Sequence, residues 1–350
     1  MRLFNLDRAA LALLTSVVPL GTAAAEPALN YPHRPIRLLI GAPPGGETDV
    51  LARLVAEHIG QDLGQRVIVE YKPGAANNIA AEVVAHSDPD GYTLFLGGSP
   101  NTVHKVMYPS IKYDYVRDLT PLGLVGATTP VLVAGMHMPI NSLQDFVQMA
   151  RERPGELTCG SVGVGSNYHL ICEILNESWG VDLRHVPYRG SAAALTDMIG
   201  GRIDVQVTVP AAVLPYIKTG KVRPLATLGT TRLPALPDVP TLREAGLPGG
   251  DYSVWFGLLA PTATPPEVVE RLNQSLNAAL KKPKLVETMS QNGLEPASAP
   301  NTSAEFKKLI ASETEFWTGI LHKHGIGPAD AGGKPEGAVD QTGAGGESAN

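Results

Sequence analysis

The stretch IRLLIGAPPGGETDVLARLVAEHIG, residues 36–60, joins an apolar run to an amphipathic one through Pro43-Pro44-Gly45-Gly46. The first run reads as a buried strand that the prolines end, and the glycines let backbone approach another group closely. Val50, Leu51, Leu54, Val55 and Ile59 then recur at helical spacing, with Thr48 or Asp49 placed to cap the helix. A strand end, a glycine-rich loop and a helix start with unpaired N–H groups therefore meet at one point.

The pattern continues. RVIVEY (66–71) is a strand, KPGAANN (72–78) a loop, and 79–85 a helix with Ile79, Val83 and Val84 turned inward; YTLFLGG (92–98) is a third strand. From Leu157 the order repeats: strand LTCGS, loop VGVGSNY, a helix burying Leu170, Ile171, Ile174 and Leu175, strand LRHVPY, loop RGSAAA, a helix burying Leu195, Met198 and Ile199, and strand IDVQVTV. Each half is βαβαβ, which predicts an α/β fold of two lobes, each a mostly parallel sheet flanked by helices. The apolar runs 119–139 and 253–261 read as the two strands of a hinge, and helices near 265–281 and 303–322 as a return onto the first lobe. Ligands of such sheets sit beyond the carboxyl ends of the strands. Two facing sheets thus make a cleft walled by glycine-rich loops and helix N-termini, which suit an anion. Four hydrogen bonds to it, at about 1.5–3 kcal/mol each, suffice for micromolar binding after association losses.

The chain has 350 residues and a formal charge of −6. Residues 1–25 carry Arg2 and Arg8 before an apolar stretch and Ala23-Ala24-Ala25, the form of an export leader cleaved after Ala25. Its loss removes Arg2, Arg8 and Asp7, a net of one positive charge, leaving −7. Residues 327–350 are glycine, alanine and small polar residues, expected to be disordered. Scattered basic residues and few aromatics exclude a nucleic-acid partner. The two cysteines, Cys159 and Cys172, match no metal spacing. They read as small buried apolar residues, although export permits a disulfide.

Catalytic signals are thin. No G-x-S-x-G or H-E-x-x-H occurs. Ser161, Ser166 and His169 could approach one another, but a hydrolase would also need an orienting acid and an oxyanion hole. His169, on the first turn of its helix, reads instead as a neutral donor to a ligand, the alternative being a polar surface residue.

Several segments together carry a resemblance: YPHRPIRLLIGAPPGGETDVLAR, GQRVIVEYKPGAANNIAAE, DPDGYTLFLG, HVPYRGSAAALTDMIGGRIDV, LPALPDVPTLREAGLPG and WFGLLAPTATP. In this order, across about residues 31–325, they resemble the Bug family, substrate-binding proteins of tripartite tricarboxylate transporters. The resemblance implies a type II-like two-lobed periplasmic binding protein, not an enzyme and without a cofactor or metal. It would be a monomer that captures a small mono- or dicarboxylic acid and delivers it to membrane permease subunits. The expected division is 1–25 leader, 26–128 first lobe, 129–251 second lobe, 252–326 return to the first lobe, and 327–350 tail. Ligand contacts carried over by position are Pro44, Gly45, Gly46, Asp49, Ala75, Ala76, Asn78, Ser99 and Asn101 in the first lobe. In the second they are Ser161, Gly163, Gly165, Ser166, His169, Tyr188, Gly190 and Ser191. Asp49 is the more natural cap and brace. Thr208 stands where many members carry an Asp suited to an amino group, which disfavours an amino-acid ligand. Two other readings are a sensing protein that docks on a sensor kinase and an exported hydrolase.

Overall fold

The computed structural model describes residues 30–328 except Gly46 and Arg189, with only the backbone of Glu47. The expected leader, the proposed contact Gly46 and all but the first two residues of the expected tail lie outside the described residues.

Strand β1 (Ile36–Ile40), helix α1 (Glu47–Leu63), β2 (Val67–Tyr71), α2 (Asn78–Ala85) and β3 (Thr93–Gly98) form the first repeat, followed by the short α3 (His104–Met107). Strands β4 (Leu119–Thr128) and β5 (Val131–Gly135) and helix α4 (Leu143–Glu152) lead to the second repeat. That repeat is β6 (Thr158–Ser161), α5 (Asn167–Trp179), β7 (Arg184–Pro187), α6 (Ser191–Ile199) and β8 (Val205–Thr208). Helix α7 (Pro210–Lys218), β9 (Val222–Thr227), β10 (Val254–Pro261), α8 (Pro266–Ala279), α9 (Pro283–Gln291), β11 (Leu294–Pro296) and α10 (Ser303–Lys323) complete the chain.

Two sheets result, ordered β11-β4-β10-β3-β1-β2 and β7-β6-β8-β5-β9. In the first, β1 lies parallel between β2 and β3; in the second, β6 lies parallel between β7 and β8. The two repeats therefore share one topology. Neither sheet is mostly parallel, because β10, β4 and β11 join the first through antiparallel pairs, and in the second β5 lies antiparallel between β8 and β9. The hinge strands cause this: a chain leaving one sheet must run back against it to return.

Two segments cross between the sheets. At the first, Thr128 of β4 pairs with Val254 and Val131 of β5 with Thr227. At the second, Leu228 N–H donates to Pro130 O (2.9 Å) and Tyr252 N–H to Leu228 O (3.0 Å). Leu39, Phe95, Tyr115, Trp255, Leu259 and Phe306 belong to the core of one lobe; Val131, Val133, Leu195, Met198, Val213 and Leu233 to that of the other. The C-terminal helices do return to the first lobe: Arg271 of α8 binds Asp62 of α1, and Asn301 before α10 brackets Leu124 of β4 through both backbone groups.

Several local readings are corrected. Helix α1 begins at Glu47, so Thr48 and Asp49 lie in its first turn rather than at its cap. Helix α2 buries Ala80, Ala81 and Val84 and leaves Ile79 and Val83 over a third exposed, because only small side chains fit against β1 and β3. Ile199 of α6 is likewise exposed, with Ala194 taking the inward place. Cys159 and Cys172 are joined as a disulfide between β6 and α5, not two separate apolar residues. Their separation of 13 residues makes the closed loop short, and a loop of this size contributes about 3 kcal/mol by restricting the unfolded chain. Reduction should lower the melting temperature by roughly 6–12 °C, and Cys159→Ser should reproduce the effect without reductant.

Candidate ligand-binding cleft

The carboxyl ends of β1, β2 and β3 carry the first wall. Asp49 reaches back from α1: Gly45 N–H donates to its Oδ2 (2.8 Å), while Tyr71 OH and Arg53 Nε bind its Oδ1 at 2.8 and 2.9 Å. Burial alone would raise this carboxyl, but the Gly45 amide, Tyr71 and Arg53 outweigh it and hold it below the usual carboxylate range. Asp49 is thus a brace, and it occupies an amide that the sequence assigns to the ligand. Pro44 and Gly45 are exposed at the rim.

The second loop is a run of left-handed backbone: Ala75, Ala76 and Asn77 have φ of 45°, 49° and 75°. Alanine in this region is strained, and such strain persists only where neighbours over-determine it. Here Asn78, fully buried, donates from Nδ2 to Ala75 O (2.7 Å); its Oδ1 accepts from Asn101 Nδ2 (3.0 Å) and Tyr113 OH (2.6 Å). Asn101 also accepts Gly98 N–H (3.1 Å). Gly41 lies under the turn, where a Cβ would stand 2.2 Å from Asn77 Cα. Asn78 and Asn101 therefore hold this wall together. Ser99 beside them is fully buried, and its Oγ has no partner among the described residues.

The second wall is built on β6, β7 and β8. Ser166 caps α5, accepting His169 N–H (3.2 Å) and donating to Gly163 O (2.7 Å). His169 Nδ1 accepts Gly165 N–H (3.0 Å), so its proton sits on Nε2, which faces Glu173 Oε1 at 3.5 Å. Both ring nitrogens of His169 thus have protein partners, and the hydrogen bond from His169 holds Glu173 below its usual range. His185 stacks on His169 at 3.7 Å and meets Ser161 Oγ through Nε2 at 2.6 Å. Tyr188 N–H donates to Ser161 O (3.1 Å) and its hydroxyl to Asp197 (2.9 Å), while Gly190 and Ser191 open α6 without a side-chain cap. Ser161, Ser166 and His169 are brought close, but their hydroxyls and ring serve the loop rather than one another as a triad.

Burial pushes the His185 imidazole down to about 3, with Glu173 opposing in part. The unfolded side chain takes its proton near 6.5. Between those values the unfolded state binds more protons, so stability falls as pH falls, on the order of 1.4 kcal/mol per pH unit at most. Denaturation midpoints from pH 7 to 4 should show this slope, and His185→Gln should flatten it.

The walls touch. Met107 of α3, fully buried, lies against Gly165, where a Cβ would meet its Cε at 2.3 Å. Pro210 at the start of α7 lies against Gly293, and Lys323 and His324 beyond the core of α10 pair with Glu177 of α5. Residues absent from the sequence-derived contacts are Met107, Tyr113, His185 and Gln206; the sequence marks Thr208 only as standing where many relatives carry an Asp. Gln206 and Thr208 had a legible signal, polar residues two apart in an otherwise apolar strand.

Two hinged α/β lobes with loops and helix N-termini facing one another define a two-lobed periplasmic solute-binding protein, a non-catalytic class. The sequence profile of the tripartite tricarboxylate transporter family receptor matches residues 51–326. BugT of Bordetella pertussis is 35% identical over 323 residues, 92% of this chain and 98% of its own. The structure of Rpa4515 of R. palustris with adipate has a TM-score of 0.77 at 32% identity, covering 85% of this chain and 99% of its own. MatC from Rhodopseudomonas palustris with bound malate scores 0.74 at 30% identity, covering 83% and 100%. The chain belongs to the Bug family, the periplasmic receptors of tripartite tricarboxylate transporters.

Proposed function

We propose that the protein captures a small mono- or dicarboxylic acid between its lobes and hands it to the permease subunits of a tripartite tricarboxylate transporter. What supports this is that Ser99 follows β3 and Ser166 opens α5 just after β6, so hydroxyls and helix-start N–H groups of both lobes lie beyond the carboxyl ends of their strands, with Ser99 Oγ buried and without a partner among the described residues. Such hydroxyls and backbone N–H groups suit a carboxylate, and they demand no base or nucleophile. Relatives seen with adipate and malate support the same class of ligand.

In this reading Ser161, Gly163, Gly165, Ser166, Tyr188, Gly190 and Ser191 line the second wall. Pro44, Gly45, Gly46, Ala75, Ala76 and Ser99 line the first. Asp49, Asn78, Asn101 and His169 act by fixing those loops. The lobes comprise 26–128 with 252–326, and 129–251; the protein is exported by a leader cut after Ala25 and works as a monomer. A thermal-shift panel of aliphatic mono- and dicarboxylates with their amides tests it. One acid at 100 times its dissociation constant should stabilise by about 2.7 kcal/mol, and its amide should not. Stabilisation by the amide equal to that by the acid, or by no acid in the panel, would overturn the proposal.

A further inference from the structure

We propose that β8 and the first turn of α6 form a subsite for a hydroxyl group, so that the solute is a hydroxy acid rather than a plain carboxylic acid. This rests on the carboxylate reading above and narrows it. Gln206 and Thr208 stand two residues apart on β8 and therefore share one face. Both are fully buried. Gln206 Oε1 and Thr208 Oγ1 have no hydrogen-bond partner among the described residues. Native proteins rarely leave buried polar atoms in this condition, so each such atom calls for a partner.

The orientation of the amide is fixed. Gln206 Nε2 donates to Ser191 O at 3.2 Å, and turning the amide over would set two oxygens against each other. Oε1 is therefore an acceptor that needs a donor. It lies at the first turn of α6, whose N-cap Gly190 supplies no side-chain capping bond, so an acceptor without a partner among the described residues adjoins the N–H groups that a helix start leaves outside its own ladder.

A carboxylate accepts only, and Oε1 would repel it. An ammonium donates only, and the subsite residues Gln206, Thr208, Gly190 and Ser191 carry no charge to offset its own. A hydroxyl does both: it donates its proton to Gln206 Oε1 and accepts from Thr208 Oγ1 or a first-turn N–H of α6. The carboxylate of the same molecule then falls to Ser99 and the α5 loop.

The test is calorimetry on matched acids that differ by one hydroxyl: malate and succinate, 3-hydroxybutyrate and butyrate, citrate and tricarballylate. The hydroxylated member of at least one pair should bind about tenfold tighter or more, because a buried site built for a hydroxyl penalises its absence. Gln206→Met and, separately, the near-isosteric Thr208→Val should bring that ratio toward one. Equal affinities within every binding pair in the wild-type protein overturn the subsite and leave the carboxylate reading standing. A preference that survives both substitutions assigns it to other residues and also overturns the subsite. If no acid of either kind binds, the carboxylate reading itself fails. The wild-type comparison needs no variant to fold; melting curves of both variants confirm that the ratios come from native protein.

Discussion

Replacing Gly165 by valine should weaken ligand binding about 10- to 100-fold while both lobes stay folded. The glycine is the point at which the second wall meets Met107 of the first, and a Cβ there would come within 2.3 Å of Met107 Cε and 2.9 Å of Sδ. Met107 is fully buried, and its end must shift among packed neighbours to admit the new side chain. Overpacking of this kind costs about 1–3 kcal/mol, and it acts only when the lobes meet, so it is subtracted from binding. Gly165 also has φ of +72°. The backbone strain of a β-branched residue there is present whether or not the lobes meet, and should appear as a lower melting temperature instead. Met107→Ala in the same chain should recover most of the affinity and none of the melting temperature. Calorimetry and melting curves on the three variants separate the two effects; wild-type affinity in Gly165→Val would contradict the contact's role.

Asn78→Ala should cost about 2–6 kcal/mol of stability. The side chain is fully buried and serves Ala75 O, Asn101 Nδ2 and Tyr113 OH at once. Truncation leaves Asn101 Nδ2 and Tyr113 OH without that partner, each at about 1–3 kcal/mol before any water relieves them, while Ala75 O keeps the backbone N–H of residue 78. It also frees the left-handed turn at Ala75–Asn77 to relax, so the first wall should loosen with it. A fall in melting temperature of roughly 4 °C or more is expected, together with faster amide exchange over 75–78 than the global loss explains. Asn78→Asp keeps the acceptor for Tyr113 and Asn101 and should cost less.

The repeated order of elements was legible because strand ends, glycine loops and helical periodicity recur at Ile36 and again at Leu157. What alternation could not reveal was direction: β10 and β5 are continuous apolar runs whether they lie parallel or antiparallel to their neighbours. Helix faces were misread where small residues decide. Ile79 and Ile199 look like core by hydropathy, yet Ala80, Ala81 and Ala194 fit against the sheets and the larger side chains point outward. The candidate site could be proposed from sequence as loops at strand ends, and the proposed residues among those described lie on such a loop, at a strand end or at a helix start. The use of each loop's amides could not. Gly45 N–H goes to Asp49 and Gly165 N–H to His169, each four residues ahead, and periodicity cannot show whether a side chain folds back onto its own loop. His185 and Met107 reach the site through tertiary packing alone, which no local spacing announces.

The central claim is that one anion is held by both walls together. Amide hydrogen exchange, with and without saturating amounts of the acid that stabilises most in the panel, tests it most directly. The account predicts slowed exchange in both lobes at once, over 99–103 in the first and over 163–169 and 190–193 in the second. Protection confined to one lobe, or bound acid with neither wall protected, would contradict it.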